Sequence, residues 1–232
     1  MKNHKLISRF IPFLLVVIFS SSCSVIFSNR RTAYRQIDEI KNSFVLVRLK
    51  SSQKKVQYLK LNNRDSEVNE EIAKIEKENE EIKKAFREEY KFSDFYFFDS
   101  SDYANIKSRA FDKVEITDRD DNLVNDKSFL ENDFYIISFE GAYETQFVKT
   151  NPDGTRDAAG GTKRQAEVAV LDHEFIQLIK PFPYSAGTTR GIDALARPEL
   201  RDGKNGVVNE LNQRLNNFYT VSYPRIQRFR TE

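Results

Sequence analysis

The sequence has few of the residues that disulfide frameworks and metal sites require. Its 232 residues include one cysteine, two histidines and no tryptophan. One cysteine cannot close an internal disulfide, and cysteine-rich zinc sites need several. Beyond the N-terminal segment His173 is the only histidine, which all but excludes histidine-paired catalysis and multi-histidine metal sites. We therefore expect neither a metal nor a cofactor.

Long hydrophobic runs are also lacking. The apolar stretch Phe10–Phe19 is ten residues long, whereas a membrane-spanning helix needs about 20. Lys2, Lys5 and Arg9 precede it, and three serines lead from it to Cys23. A basic start, an apolar centre and small residues before a cleavage point are typical of a secretory signal peptide. The pattern predicts export, with residues 1–22 as the signal peptide.

The segment resembles a bacterial lipoprotein signal, of the permissive type found in Bacteroidota. The resemblance covers residues 1–23 and implies that Cys23 carries a diacylglyceryl thioether and becomes the acylated N-terminus. It departs from the usual pattern at Ser20, where such signals have an aliphatic residue. Ordinary cleavage after Ser22 and an uncleaved anchor are the alternatives. No aspartate or acidic run follows Cys23, so the resemblance implies an anchor on the cell membrane or outer membrane facing the periplasm, with the outer membrane favoured.

Charge of one sign is not in excess. The chain has a formal net charge of +2, and the segment before Cys23 holds three basic residues and no acidic one, so the remainder is near −1. A nucleic-acid-binding protein needs a clustered basic face, and we expect no nucleic acid as partner. The expected partners are the membrane, through the lipid on Cys23, and an unidentified envelope protein or glycan.

Three apolar, β-branched or aromatic runs predict strands buried on both faces: Phe44–Leu49, Phe95–Phe98 and Phe134–Phe139. Between the first two lies a polar stretch, Ser51–Tyr90, without glycine or proline. Strand, helix and strand form a βαβ unit, so the first two strands should be parallel. The crossover should consist of two helices, Lys54–Leu61 and a longer one with Ser66 as its N-cap.

The longer helix has a second interpretation. Its apolar positions follow a heptad-like spacing, and an asparagine in such a row can fix the register of a two-stranded coiled coil. The row spans only about two and a half heptads, fewer than coiled coils usually have. We favour a helix packed on its own domain over a homodimer through Val68–Phe86. The residues concerned are Val68, Ile72, Ile75, Asn79, Ile82 and Phe86.

The rest of the chain predicts a C-terminal hairpin and a C-terminal helix. Glu167–Leu171 and Phe175–Ile179 flank a turn, and apolar residues share one helix face from Val207 to Phe218. The expected fold is α/β, or α+β, with a mixed sheet. Expected segments are a lipidated tether at 23–42, a short helix or a mobile linker; a single α/β domain at 43–220; and a basic tail at 221–232.

The order of elements is similar to that of thioredoxin-like domains, over roughly Phe44–Tyr219. The similarity rests on topology alone. Members of that family have a Cys-x-x-Cys motif and a proline before the third strand of the fold, and this chain has neither. Thiol exchange is therefore not expected.

Aromatic residues beside prolines are the best candidates for partner contacts. Phe182, Tyr184 and Tyr223 lie in segments expected to be irregular, and exposed aromatic residues are common in binding surfaces. The contact surface would be Pro181–Arg197 with the adjacent loop. The alternative is that these side chains close the open end of the core. The basic residues Arg225, Arg228 and Arg230 would either touch anionic lipid or fray as a tail.

The remaining motifs predict no chemistry. Asp118, Asp120 and Asn122 imitate the start of a calcium loop, but Leu123 stands where that loop needs glycine and Phe129 where it needs glutamate. His173 falls in a predicted turn. The sequence thus favours a membrane-anchored envelope lipoprotein with a non-catalytic binding, scaffold or assembly role. The alternatives are a homodimeric structural lipoprotein and an envelope enzyme based on carboxylates.

Overall fold

The computed structural model describes residues 30–139, 142–143, 148–150, 156–158, 164–187 and 203–231. The signal segment and Cys23 lie outside these residues, as do residues 188–197 of the predicted contact surface. None of the described helices is long and apolar enough to cross a membrane.

Five helices and ten strands follow one another in the described residues. The helices are α1 (30–42), α2 (Gln53–Leu61), α3 (Asp65–Glu89), α4 (Tyr103–Lys107) and α5 (Gly203–Thr231). The strands are β1 (Phe44–Leu49), β2 (Asp94–Asp99), β3 (Ile116–Thr117), β4 (Tyr135–Ser138), β5 (Ala142–Tyr143), β6 (Val148–Thr150), β7 (Arg156–Ala158), β8 (Arg164–Ala166), β9 (Val168–Asp172) and β10 (Ser185–Ala186). Three short 3₁₀ helices lie at Ser100–Asp102, Phe111–Lys113 and Ser128–Glu131.

The main sheet has six strands in the order β10-β9-β4-β1-β2-β3. β1 is central and pairs in parallel with β2 on one side and β4 on the other. β3, β9 and β10 each pair antiparallel with their neighbours. The mixed α/β fold, the parallel βαβ unit and the two-helix crossover predicted from the sequence are confirmed. The long helix begins at Asp65, one residue before Ser66, and its N-cap is Arg64 without a side-chain capping bond.

Each face of the sheet has its own core. On one face α1, α3 and α5 cover alternate residues of the strands, among them Val45, Val47 and Phe97. On the other face Leu46, Phe98 and Ile136 pack against α4 and the 3₁₀ turns. Side chains of a strand alternate between faces, so the continuous apolar runs of β1, β2 and β4 supply both cores at once.

Residues 30–42, expected to be a tether in the form of a short helix or a mobile linker, form a helix, and they contribute to the core together with 221–231, expected to be a basic tail. Tyr34, Ile37 and Ile40 of α1 are buried, and Ile226 lies in the same cluster. α5 continues through Pro224 to Thr231. Proline removes one intrahelical hydrogen bond, and the burial of Ser222 and Ile226 on either side of it keeps the last turns packed on the domain. The hydrophobic core therefore includes residues on both sides of 43–220.

The C-terminal hairpin forms only in part. β9 turns at Asp172, whose carboxylate accepts from the backbone N–H groups of Glu174 and Ile176. The returning segment makes an isolated bridge between Leu171 and Gln177 rather than a strand. β10 then pairs with β9 further along the chain. Proline cannot donate to a strand ladder, so the returning segment ends before Pro181.

Two buried tyrosines predict how stability changes at alkaline pH. Burial raises the pKa of Tyr90 and of Tyr135, and the Glu39 carboxylate beside Tyr135 raises that pKa further. The unfolded chain releases these protons near pH 10 while the folded protein keeps them. The stability they contribute is complete below pH 10 and is lost as the pH rises, by up to about 1.4 kcal/mol per pH unit for each tyrosine.

Urea denaturation at pH 8, 10 and 11, compared with the Tyr90→Phe variant, measures this effect. The variant should lose less stability between pH 10 and pH 11 than the wild type. The matched control is Tyr58→Phe, because Tyr58 is exposed and its replacement should leave the pH dependence unchanged. Identical pH profiles for wild type and Tyr90→Phe would contradict the assignment.

Candidate functional site

The two aromatic residues beside Pro181 and Pro183 are core residues. Phe182 is 1% exposed and Tyr184 is 9% exposed, and Phe182 packs edge-on against Phe218 with 6.1 Å between ring centroids. Phe182 and Tyr184 therefore close the open end of the core, which was the alternative interpretation of the sequence. They are not available as a contact surface for a partner. Tyr223, the third candidate, is 45% exposed.

The heptad-spaced residues of α3 pack within their own chain. Ile82 and Phe86 are fully buried against the sheet, whereas Ile72 and Ile75 are half-buried. Asn79 is half-buried. Its side chain accepts from the backbone N–H of Lys50 and donates to the carbonyl of Lys50, both at 2.9 Å. Its position in the row is explained by this contact with the end of β1.

The two weak motifs are local turns. The Asp118 carboxylate accepts from the backbone N–H groups of Asp120 and Asn122 and from the Asn122 amide, so it closes its own turn. His173 packs edge-on against Phe134, and its Nδ1 is 3.6 Å from an Asp133 carboxylate oxygen. The part of the chain that the structure describes contains no cluster of ligands that could hold a metal ion.

The carboxyl ends of β1, β2 and β4 are where α/β proteins most often bind ligands. Here Lys50 forms an ion pair with Glu78 of α3, and this bond lowers the pKa of the Glu78 carboxyl. The Lys204 ammonium lies 4.8 Å from the centre of the Phe139 ring, and burial lowers its pKa. The charges at this edge are thus engaged with α3 and with the core.

A wide groove of about 570 Å³ lies at the amino ends of β1 and β2. The groove contains charged residues of both signs, and two of its cations are hydrogen-bonded to the backbone. Lys41 donates to the carbonyl of Phe92, and Arg119 donates to the carbonyl of Arg87. The groove therefore offers little net charge to a ligand. Its charged residues are Lys41, Lys91, Asp94, Asp118 and Arg119.

A second cleft, of about 330 Å³, lies between α1 and the end of α5. We call it the arginine cleft, because three of its lining residues are arginines. It is lined by Arg31, Thr32, Tyr34, Arg35, Asp38, Ile226 and Arg230. Arg31 and Arg35 are one helical turn apart on α1 and so share a face. This is the strongest concentration of one charge in the clefts described.

Two contacts hold α5 against α1 at this cleft. The Arg230 guanidinium donates two hydrogen bonds to the Asp38 carboxylate, at 2.7 and 2.9 Å. The Arg225 guanidinium donates to the Tyr34 hydroxyl at 2.5 Å. Arg225 and Arg230 flank the buried Ile226 in the sequence. Together these residues hold the end of α5 against α1. The cleft is therefore built by tertiary packing and does not depend on either helix alone.

The acidic residues near the cleft are already engaged. Asp38 is paired with Arg230, and Glu39 contacts Arg35 and accepts from the Tyr135 hydroxyl. Six exposed arginines lie on the same two helix segments, the start of α1 and the end of α5: Arg30, Arg31, Arg35, Arg225, Arg228 and Arg230. Arginine stays charged at every physiological pH and presents planar donors that fit phosphate or carboxylate in pairs. The arrangement suits binding of an anion.

From the sequence, the C-terminal arginines were expected either to touch anionic lipid or to fray as a tail, and they were not connected with Arg31 and Arg35. One signal was available, since no acidic residue occurs between Glu210 and Glu232. An acid-free stretch bearing several arginines indicates a basic surface. That it meets a second basic stretch at 30–35 depends on contacts between residues about 190 positions apart.

Comparison of the chain with protein-family models, with curated proteins and with solved structures gives no match.

Proposed function

We propose that this chain is a lipid-anchored protein of the bacterial cell envelope that acts by binding, as a scaffold or assembly component, and not by catalysis. The observation that carries the proposal is the basic, apolar and small-residue pattern of residues 1–22 ending at the single cysteine, Cys23. Two or more acyl chains on that residue would hold the protein stably on a membrane.

The arginine cleft supports a binding role. Its cations are arginines, which do not release a proton in proteins, and its carboxylate, Asp38, is held by Arg230. Groups fixed in this way attract and orient an anion but do not move protons to or from a substrate. The site therefore favours recognition over acid–base chemistry.

The test of the anchor is the mass of the N-terminal peptide in the full chain expressed in a bacterium with two membranes. Trypsin should release residues 23–30 carrying a diacylglyceryl group on Cys23, and globomycin, which blocks lipoprotein signal peptidase, should abolish that peptide. In Cys23→Ala the lipidated peptide should be absent. The control Ser24→Ala keeps the cysteine and should be lipidated like the wild type.

Two outcomes would overturn the anchor. One is an unmodified peptide beginning at Cys23 or Ser24, which would indicate ordinary secretion. The other is a peptide that still contains Phe19–Ser22, which would indicate an uncleaved segment.

A further inference from the structure

We propose that the arginine cleft binds the phosphate groups of an anionic phospholipid surface and so fixes the orientation of the domain on its membrane. This inference rests on the proposed lipid anchor at Cys23 and adds to it a second contact, made by the folded domain itself.

Arginine is concentrated at one end of the molecule. Six exposed arginines lie at the start of α1 and the end of α5, although the chain beyond residue 22 as a whole is near neutral. Basic residues close to an anionic lipid surface are attracted to it. The localisation of this charge, more than its amount, makes the surface distinctive.

The arginines of the cleft come from both helices. Arg31 and Arg35 project from consecutive turns of α1, and Arg230 is held opposite them by its two hydrogen bonds to Asp38. Guanidinium groups bind phosphate oxygens in pairs. A cleft of about 330 Å³ is open enough to admit a phosphate headgroup between the two helices.

Exposed apolar side chains occur near the arginines of α5 in the sequence. Val221 is 80% exposed and Tyr223 is 45% exposed, and both lie on α5 within a few residues of Arg225. Tyrosine is enriched at the level of lipid headgroups, where its ring meets apolar chains and its hydroxyl meets water. Amphipathic helical segments rich in arginine bind lipid interfaces through the same combination.

The expected anchor lies close to the cleft in sequence. Arg31 is eight positions after Cys23, and an extended chain spans at most about 3.5 Å per residue. The cleft would thus stay within about 28 Å of a lipidated Cys23. Tethering at that range keeps the local concentration of headgroups high, so that even weak phosphate contacts are populated.

The test uses the full lipidated chain in nanodiscs of phosphatidylcholine alone or of an equal mixture with phosphatidylglycerol. Amide hydrogen exchange is followed in peptides covering 30–38 and 221–231. We expect exchange in both segments to slow in the anionic discs only, and exchange in Asp65–Glu89 to be the same in both. Equal exchange in the two kinds of disc would overturn the inference.

Matched variants separate the cleft from general charge. Arg31→Gln with Arg35→Gln removes two cleft arginines, and Lys74→Gln with Lys77→Gln removes two exposed charges from α3. At about fivefold per basic residue, the first pair should weaken docking about 25-fold and lose most of the protection. The α3 pair should retain it. Equal loss in both pairs would point to net charge alone and overturn the cleft as the site.

Two further outcomes are distinguishable. Protection produced by inorganic phosphate alone, in phosphatidylcholine discs, would show a site for a soluble anion and overturn membrane docking. Failure of the chain to associate with discs at all would contradict the lipid anchor instead. In that case sedimentation of the unlipidated chain with phosphatidylglycerol vesicles decides: loss of binding on Arg31→Gln with Arg35→Gln supports the inference, and no binding by the wild type overturns it.

Discussion

Replacing Phe86 by alanine is expected to lower the free energy of unfolding by about 3–5 kcal/mol. Phe86 is fully buried on α3, where it faces the sheet. Its ring centroid lies 5.3 Å from that of Tyr90, 5.5 Å from that of Phe95 and 6.2 Å from that of Phe139. The side chain therefore joins the long crossover helix to β2 and to the end of β4. Alanine would leave a cavity among rings that cannot close over it.

The measurement is guanidinium chloride denaturation of the chain from Ser24 to Glu232, followed by far-ultraviolet circular dichroism. The matched control is Tyr58→Ala on α2, since Tyr58 is 59% exposed, and the change there should stay within about 0.5 kcal/mol. A Phe86→Ala variant as stable as the control would mean that α3 does not pack on the sheet in solution.

Replacing Asn79 by leucine is expected to destabilise the domain by about 2 kcal/mol. The side-chain amide bonds both backbone groups of Lys50, immediately after β1. Leucine can make neither bond, and it would leave a donor and an acceptor of a half-buried segment without partners. The expected effect has the opposite sign in a coiled-coil dimer, because leucine at a core position of a coiled coil stabilises the assembly.

Denaturation and sedimentation of the same variant therefore distinguish a helix packed within its own domain from a homodimer through Val68–Phe86. We expect Asn79→Leu to be less stable than the wild type and to have the same sedimentation coefficient. Asn69→Leu is the matched control, since Asn69 is exposed on the same helix and should change stability little. A more stable variant with a larger sedimentation coefficient would establish the dimer.

The heptad row shows the limit of a periodic pattern. A stripe of apolar residues at spacings of three and four is produced equally by a coiled coil and by a helix that lies on a sheet. The sequence gives the face of α3 that is buried but not its partner. Asn79 fits either arrangement until the backbone of Lys50 is seen beside it.

The aromatic residues near proline show a different limit. Proline correctly predicts that Pro181–Tyr184 leaves the sheet, but an irregular backbone is not the same as an exposed one. Phe182 and Tyr184 are buried because α5 and the open edge of the core lie over them. Burial of a loop side chain depends on which distant elements cover it, and local sequence carries no record of that.

The sequence by itself determined the elements of this protein and much of their arrangement. Apolar runs of six residues or fewer marked β1, β2 and β4, and an uninterrupted polar stretch marked the crossover helices. The long helical connection between β1 and β2 indicated that these strands are parallel. These features are local, because they depend on the secondary-structure propensity of each residue and of its neighbours along the chain.

Only the tertiary structure decided that α1 and the end of α5 belong to the core and that their arginines meet in one cleft. The bonds from Arg225 to Tyr34 and from Arg230 to Asp38 join the two ends of the described chain. Such pairs form because buried residues such as Ile37 and Ile226 bring the helices together, and apolar attraction is non-directional. It favours burial without specifying a partner, so the site appears only once the whole core has been assembled.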